Sequence, residues 1–347
     1  MYEINSKLKR LKAYDPVVGD IKIRLDANES FIPLSGGIKQ SLCEAVSAVE
    51  FNRYPDPFCT RLCRKLAEIQ GVCPENIVAG NGSDELLSVI FSAFLEKQDK
   101  VMILEPDFSM YRFYADLFEL ETVVLQKQEP ELEVNPQQII DTAKNSNIKA
   151  FVFSNPCNPT SLGLCADTVR GIIKALENCL IILDEAYMDF WDQSLIGEVS
   201  QYENVILLRT FSKAFAGAAV RLGYAVCNTR LAERLRAAKS PYNVNSLTQA
   251  AGCVLLDNID EVQEGIALLR KSRERLAQGL TELGFEPLDS KTNFVFVQTP
   301  YAEKIYKMLL ENGVSVRLMG NALRITAGNE YENRRLLDLL EEFKGKI

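Results

Sequence analysis

Residues 180–215 read LIILDEAYMDFWDQSLIGEVSQYENVILLRTFSKAF. Two short apolar runs, LIIL at 180–183 and NVILL at 204–208, are each followed at once by residues that carry chemistry. The first run ends in Asp184 and, three residues on, Tyr187; the second leads into Thr210, Ser212 and Lys213. Runs this short and this apolar are the pattern of strands covered on both faces by crossover helices. The same rhythm extends outward, with strand-like stretches at 76–80 (NIVAG), 100–104 (KVMIL), 122–125, 150–154 (AFVFS) and 223–227, and helical patterns at 84–96, 109–117 and 166–177. The succession predicts an α/β fold whose large domain has a mainly parallel sheet flanked by helices.

From residue 231 the character changes. A helix-favouring stretch runs to 283 with a break near 240–245, and strands at 293–297, 315–318 and 323–326 then alternate with amphipathic helices at 301–312 and 331–343. This predicts a smaller α+β C-terminal domain. The expected division is an N-terminal arm at 1–30, a large domain at 31–235 and a small domain at 236–347.

Composition narrows the chemistry. Of 347 residues, 47% are hydrophobic and 25% charged, and the formal net charge is -8. That balance suits an ordinary globular chain and argues against a nucleic-acid partner, which requires a basic face. No histidine is present. Triads that use histidine as base and metal sites with histidine ligands are therefore excluded, no metal is expected, and proton transfer falls to Lys, Asp, Glu, Tyr or Cys. The nine cysteines contain no CxxC pair and read as reduced thiols. The first residues, MYEINSKLKRLKAYD, lack the apolar segment of a signal peptide, and no apolar run approaches the roughly 18 residues of a membrane span. A cytoplasmic protein with no membrane partner is expected.

Four motifs stand at strand ends. GNGSDE (80–85), between a strand and a helix, is a glycine turn whose backbone N–H groups can approach an anion, with Ser83 adding a hydroxyl donor. It also reads as a plain turn with Ser83 or Asp84 as helix cap. Asp184 is either a site carboxylate or the cap of its own turn. Lys213, flanked by Thr210 and Ser212 and followed eight residues later by Arg221, suits a carbonyl and a phosphate, or else an ordinary charged loop. In Asn155-Pro156-Cys157-Asn158-Pro159 the prolines set the turn and leave Asn158 as a polar group above the sheet. Singly none decides; together they describe an aldehyde cofactor bearing a phosphate. That is pyridoxal 5'-phosphate, joined to Lys213 as a Schiff base with Asp184 on its ring nitrogen.

With these motifs, and with RLDANES (24–30), NRYPDP (52–57), RLGY (221–224) and LRIT (323–326), the chain resembles the fold-type I pyridoxal-phosphate aminotransferases, and among them the histidinol-phosphate aminotransferases. The resemblance implies that Gly82, Ser83, Asp84, Thr210, Ser212 and Arg221 lie around the cofactor phosphate. It implies that Phe108 stacks on the ring and that Asn158 and Tyr187 hold its phenolic oxygen. It places Tyr14, Asn28, Asn293, Arg317 and Arg324 on the substrate side. It implies a homodimer in which Tyr54 reaches the other subunit's site. The expected reaction is transamination between histidinol phosphate and 2-oxoglutarate, giving glutamate, in histidine biosynthesis. An aromatic or broad-specificity aminotransferase and a threonine-phosphate decarboxylase are the alternatives. The chain departs from the common pattern at Cys157, where asparagine is usual, and at Ser161, where glycine is usual.

Overall fold

A computed structural model of the chain describes residues 2–5, 7, 8, 11 and 21–345. Its strands, in chain order, are β1 (Ile23–Arg24), β2 (Ile77–Gly80), β3 (Lys100–Glu105), β4 (Glu121–Gln126), β5 (Ala150–Ser154), β6 (Leu180–Asp184), β7 (Val205–Thr210), β8 (Gly223–Cys227), β9 (Phe294–Gln298), β10 (Val314–Ser315), β11 (Arg317–Met319) and β12 (Ala322–Thr326). Seven of them form one sheet in the order β2-β8-β7-β6-β5-β3-β4. Only β8 runs against its neighbours, so the sheet is mainly parallel, as the apolar runs predict. Every residue of β5, β7 and β8 is buried, while β4 at the edge is only half covered. Phe151, Phe153, Ile181, Leu183 and Leu207 on one face and Val152, Ile182, Ile206 and Leu208 on the other belong to two separate cores. Helices cover both faces, as parallel strands require.

The register decides what stands together. Ser154 pairs with Asp184, Asp184 with Leu208, Thr210 with Gly223, and Gly223 with Gly80. The C-terminal ends of β5, β6, β7 and β2 and the start of reversed β8 therefore form one row. Ligands of open α/β sheets bind beyond such ends.

The C-terminal part is built on a three-stranded antiparallel sheet, β11-β12-β9. Leu276, Leu280, Val295, Val297, Leu323, Ile325, Leu336 and Leu340 make its own core. Short β1 pairs in parallel with β10, and the Leu25 carbonyl accepts from Thr326 N–H, so residues 23–28 run along this unit toward the large sheet. Helix Ser246–Asp257, capped by Asn245, places Cys253, Leu255 and Leu256 in the core of the large sheet. Among the described residues no helix is long and apolar enough to cross a membrane.

Candidate active site

The row of strand ends carries the residues singled out from the sequence. Gly82 caps helix Ser83–Phe94 with φ +85°, a left-handed value that favours glycine. A Cβ on Gly82 would lie 2.8 Å from Arg221 Nη2, so the guanidinium rests directly against bare backbone. Arg221 Nη1 donates to Ser212 Oγ (3.2 Å), and Ser212 N–H donates to Thr210 Oγ1 (3.1 Å). Two hydroxyls, one guanidinium and the first N–H groups of a twelve-residue helix thus converge on one spot. That donor set fits a phosphate. Asp84 stands in the first turn of the same helix; burial raises its carboxyl, against the lowering effect of Tyr114 and Arg221.

Gly223 makes this approach possible. A Cβ there would meet Ser83 N at 2.2 Å and Gly82 C at 2.6 Å, both backbone atoms that cannot swing aside. Gly223→Ala is therefore expected to push the cradle apart at a cost of about 1–3 kcal/mol. The measurement is phosphate-cofactor affinity, expected to weaken roughly 5- to 150-fold. Unchanged affinity would mean the cradle is not where the phosphate sits.

Asp184 ends β6 with its side chain buried. Tyr111 donates its hydroxyl to Oδ2 (2.9 Å) and Ala186 N–H donates to Oδ1 (3.0 Å). Burial nevertheless raises its pKa to about 6, and the nearby Asp107 and Asp84 add to the effect. A cation placed against a buried acid held this way would favour its charged form. Phe108 lies edge-on to Tyr111, ring centroids 5.6 Å apart.

Lys213 Nζ donates to the Ala27 carbonyl (3.0 Å) and lies 5.9 Å from the centre of the Tyr187 ring. The Tyr187 hydroxyl accepts from Asn28 Nδ2 (2.8 Å). Asn28, at φ +56°, is fixed by Thr326 Oγ1, which accepts from its N–H, and by Asn293 Nδ2, which donates to its carbonyl. Arg324 Nη1 donates to Asn158 Oδ1 (2.6 Å) and Nη2 to the Asp26 carbonyl (2.5 Å). Arg317 is its direct cross-strand neighbour. Residues 26–28, β12 and the 154–158 turn thereby meet over the ends of β5 and β6.

One expected residue stands apart from this cluster. Tyr54 is 82% exposed and stacks on Tyr242, with centroids 4.6 Å apart. Tyr14 falls outside the described residues. Sequence reading also passed over partners of the site. Tyr111 sits three residues after Phe108 and reads as a core aromatic; Ala27 acts through its carbonyl alone. Beneath the row, Arg209 binds Glu185 (3.0 Å), Asp189 (2.9 Å) and Ser194 Oγ (2.9 Å). Burial works against its charge, but the two carboxylates outweigh it and hold the guanidinium above its usual pKa. This buried network ties the ends of β6 and β7 together.

A lysine, a buried acid and a donor set that fits a phosphate, gathered at the strand ends of a mainly parallel sheet, are what a pyridoxal-phosphate enzyme requires. The model of the class I and II aminotransferases matches residues 20–340, and the chain belongs to that family. A histidinol-phosphate aminotransferase of Clostridium novyi is 36% identical over 342 residues, covering 96% of this chain and 95% of the relative. The crystal structure of a histidinol-phosphate aminotransferase from Sinorhizobium meliloti, in complex with pyridoxal-5'-phosphate, superposes with a TM-score of 0.91 at 24% identity, covering 100% of this chain and 98% of that one. An L-threonine-O-3-phosphate decarboxylase from Porphyromonas gingivalis shares the fold too, with a TM-score of 0.80 at 22% identity, covering 93% and 99%. The fold alone therefore leaves the reaction of an individual member open, as expected where function lives in the site.

Proposed function

We propose that the protein transfers the amino group between histidinol phosphate and 2-oxoglutarate, using pyridoxal phosphate, and so serves histidine biosynthesis. Bound at this site, the cofactor supplies an electron-withdrawing ring and a carbon that takes up and gives back nitrogen. Gly82, Ser83, Thr210, Ser212 and Arg221 would hold its phosphate, with Asp84 in the same turn. Asp184 would face the ring nitrogen, Asn158 and Tyr187 the ring oxygen, and Phe108 one face of the ring. Lys213 is the group to accept the substrate's α-proton at Nζ, steadied between the Ala27 carbonyl and the Tyr187 ring.

The observation that carries the substrate reading is the pairing of Arg317 with Arg324 across β11 and β12, with Arg324 touching Asn158. Two guanidiniums next to the amine-transfer position suit a doubly charged phosphate, whereas the single carboxylate of an aromatic amino acid would call on Arg324 alone. Asn28 and Asn293 would complete that side, with Tyr14. Exposed Tyr54 supports a homodimer in which it serves the second copy, in a soluble cytoplasmic enzyme.

The test is a single-turnover titration of the pyridoxal-phosphate-loaded protein with histidinol phosphate, phenylalanine and threonine phosphate in turn. Loss of the visible band with histidinol phosphate alone is the expected result. Bleaching mainly by phenylalanine would make it an aromatic aminotransferase, and carbon dioxide release from threonine phosphate a decarboxylase. Arg324→Lys, which keeps the charge and loses the fork, is expected to raise the KM for histidinol phosphate about 10- to 100-fold. Steady-state kinetics with histidinol, which carries neither phosphate nor carboxylate, should show a much smaller change.

A further inference from the structure

Cys157 replaces the usual asparagine in the turn after β5, and the reaction makes no use of it. Its thiol is buried, and Lys127 Nζ lies 2.9 Å from Sγ. Other polar contacts of cysteine sulfur in the described residues are longer: 3.2 Å from Cys165 to Thr168 Oγ1, and 3.6–3.9 Å for Cys59, Cys63 and Cys179. Lys127 is itself enclosed, its side chain 3% exposed, with the 2% exposed Asp107 carboxylate 4.0 Å away. Both Lys127 and Cys157 line a cavity of about 370 Å³, together with Thr160, whose buried hydroxyl has no hydrogen-bond partner among the described residues. Small polar molecules thus have room beside the Lys127–Cys157 contact.

We propose that Lys127 and Cys157 form a reversible covalent crosslink through one oxygen atom, a nitrogen–oxygen–sulfur bridge, on exposure to hydrogen peroxide. One peroxide oxidises the sulfur: an S–O bond forms, the O–O bond breaks, water leaves and Cys157 becomes a sulfenic acid. Once the Lys127 ammonium has passed a proton to the neighbouring Asp107 carboxylate, the free amine attacks a second peroxide: an N–O bond forms, the O–O bond breaks, and water leaves a hydroxylamine. The hydroxylamine oxygen then attacks the sulfenic sulfur, and its hydroxyl departs with a proton as water. The sum is amine plus thiol plus two peroxides, giving the bridge and three waters. Four thiols of a reductant reverse it, yielding two disulfides and one water. A bent N–O–S unit spans nearly the separation already present. A direct N–S bond would require the two atoms to close up much further in a packed turn.

The bridge would reach the active site through Asp107. Ser154 donates its hydroxyl to Asp107 Oδ1, and Asn158 N–H donates to Ser154 Oγ (3.1 Å). Bridging takes away the ammonium and leaves its proton on Asp107, so the Ser154–Asn158 turn loses its fixed anion partner. The crosslink itself is independent of which amine the enzyme uses.

The test treats the pyridoxal-phosphate-loaded protein with peroxide, blocks remaining thiols, digests without reductant and maps peptides by mass spectrometry. Expected is a Lys127 peptide joined to a Cys157 peptide, about 14 Da heavier than the two together, one oxygen gained and two hydrogens lost. Dithiothreitol should separate them and restore lost activity. Unjoined peptides, with Cys157 free or carried on to sulfinic acid, would overturn the proposal, as would a joined pair lacking the oxygen. Lys127→Arg keeps a cation beside Asp107 and should abolish the joined species; if that variant fails to fold, the mass of the native protein's crosslink still decides.

Discussion

Asp184→Asn is expected to make the cofactor-free protein more stable at neutral pH while lowering turnover about 10²- to 10³-fold. The native carboxyl titrates at about 6 rather than 3.8 because burial disfavours its charge. Between those values the folded state binds more protons than the unfolded one, so stability falls as pH rises, and the full penalty is present above pH 6. The shift corresponds to about 3 kcal/mol. Asparagine escapes it but accepts through one oxygen where aspartate accepts through two, losing about 1 kcal/mol. The net gain is roughly 1–3 kcal/mol. Thermal melts of the two apoproteins should differ most above pH 6 and converge as pH falls toward 3.8. With pyridoxal phosphate bound as proposed the balance would reverse, since a carboxylate beside a cationic ring nitrogen is stabilised. Cofactor titration should therefore show weaker binding by the variant. An apo variant that melts below the native protein at pH 8 would show that the buried charge is no burden. Unchanged turnover would remove Asp184 from the site.

Lys213→Ala is expected to abolish the visible band of the lysine-bound cofactor and to lower turnover by on the order of 10⁴-fold or more. The side chain is half-buried, and its one hydrogen bond among the described residues goes to a backbone carbonyl, so little of the fold depends on it. Thermal stability should stay within about 1 kcal/mol of the native protein, which separates lost chemistry from lost structure. Lys213→Arg tests the covalent role directly, because a guanidinium retains charge but cannot act as base or amine. A visible band that survives in either variant would sink the assignment of Lys213.

The two substitutions rest on residues that local pattern makes visible. Asp184 and Lys213 each follow an apolar run too short for a helix, and the end of a buried strand is a place where polar residues cluster for a reason. Gly82 and Asn158 are legible in the same way, from glycine and proline turns at strand ends. Arg324 became a candidate only through resemblance, because a charged residue within LRIT has no local signature.

What the chain by itself determined is its α/β character, the strand ends and the chemical types gathered there, since apolar periodicity and turn residues act over a few neighbours. Tertiary structure decided which ends adjoin. The order β2-β8-β7-β6-β5-β3-β4, with β8 reversed, sets Gly223 against Gly80 and Thr210. The β1–β10 pairing carries Asn28 to Tyr187 across 159 residues, and β11 places Arg317 opposite Arg324. Tyr111 reaches Asp184, and Lys127 reaches Cys157, only because β3 lies between β5 and β4. These contacts depend on how helices cover the sheet and how its strands are ordered, which is a property of the whole packed chain and of no short segment within it.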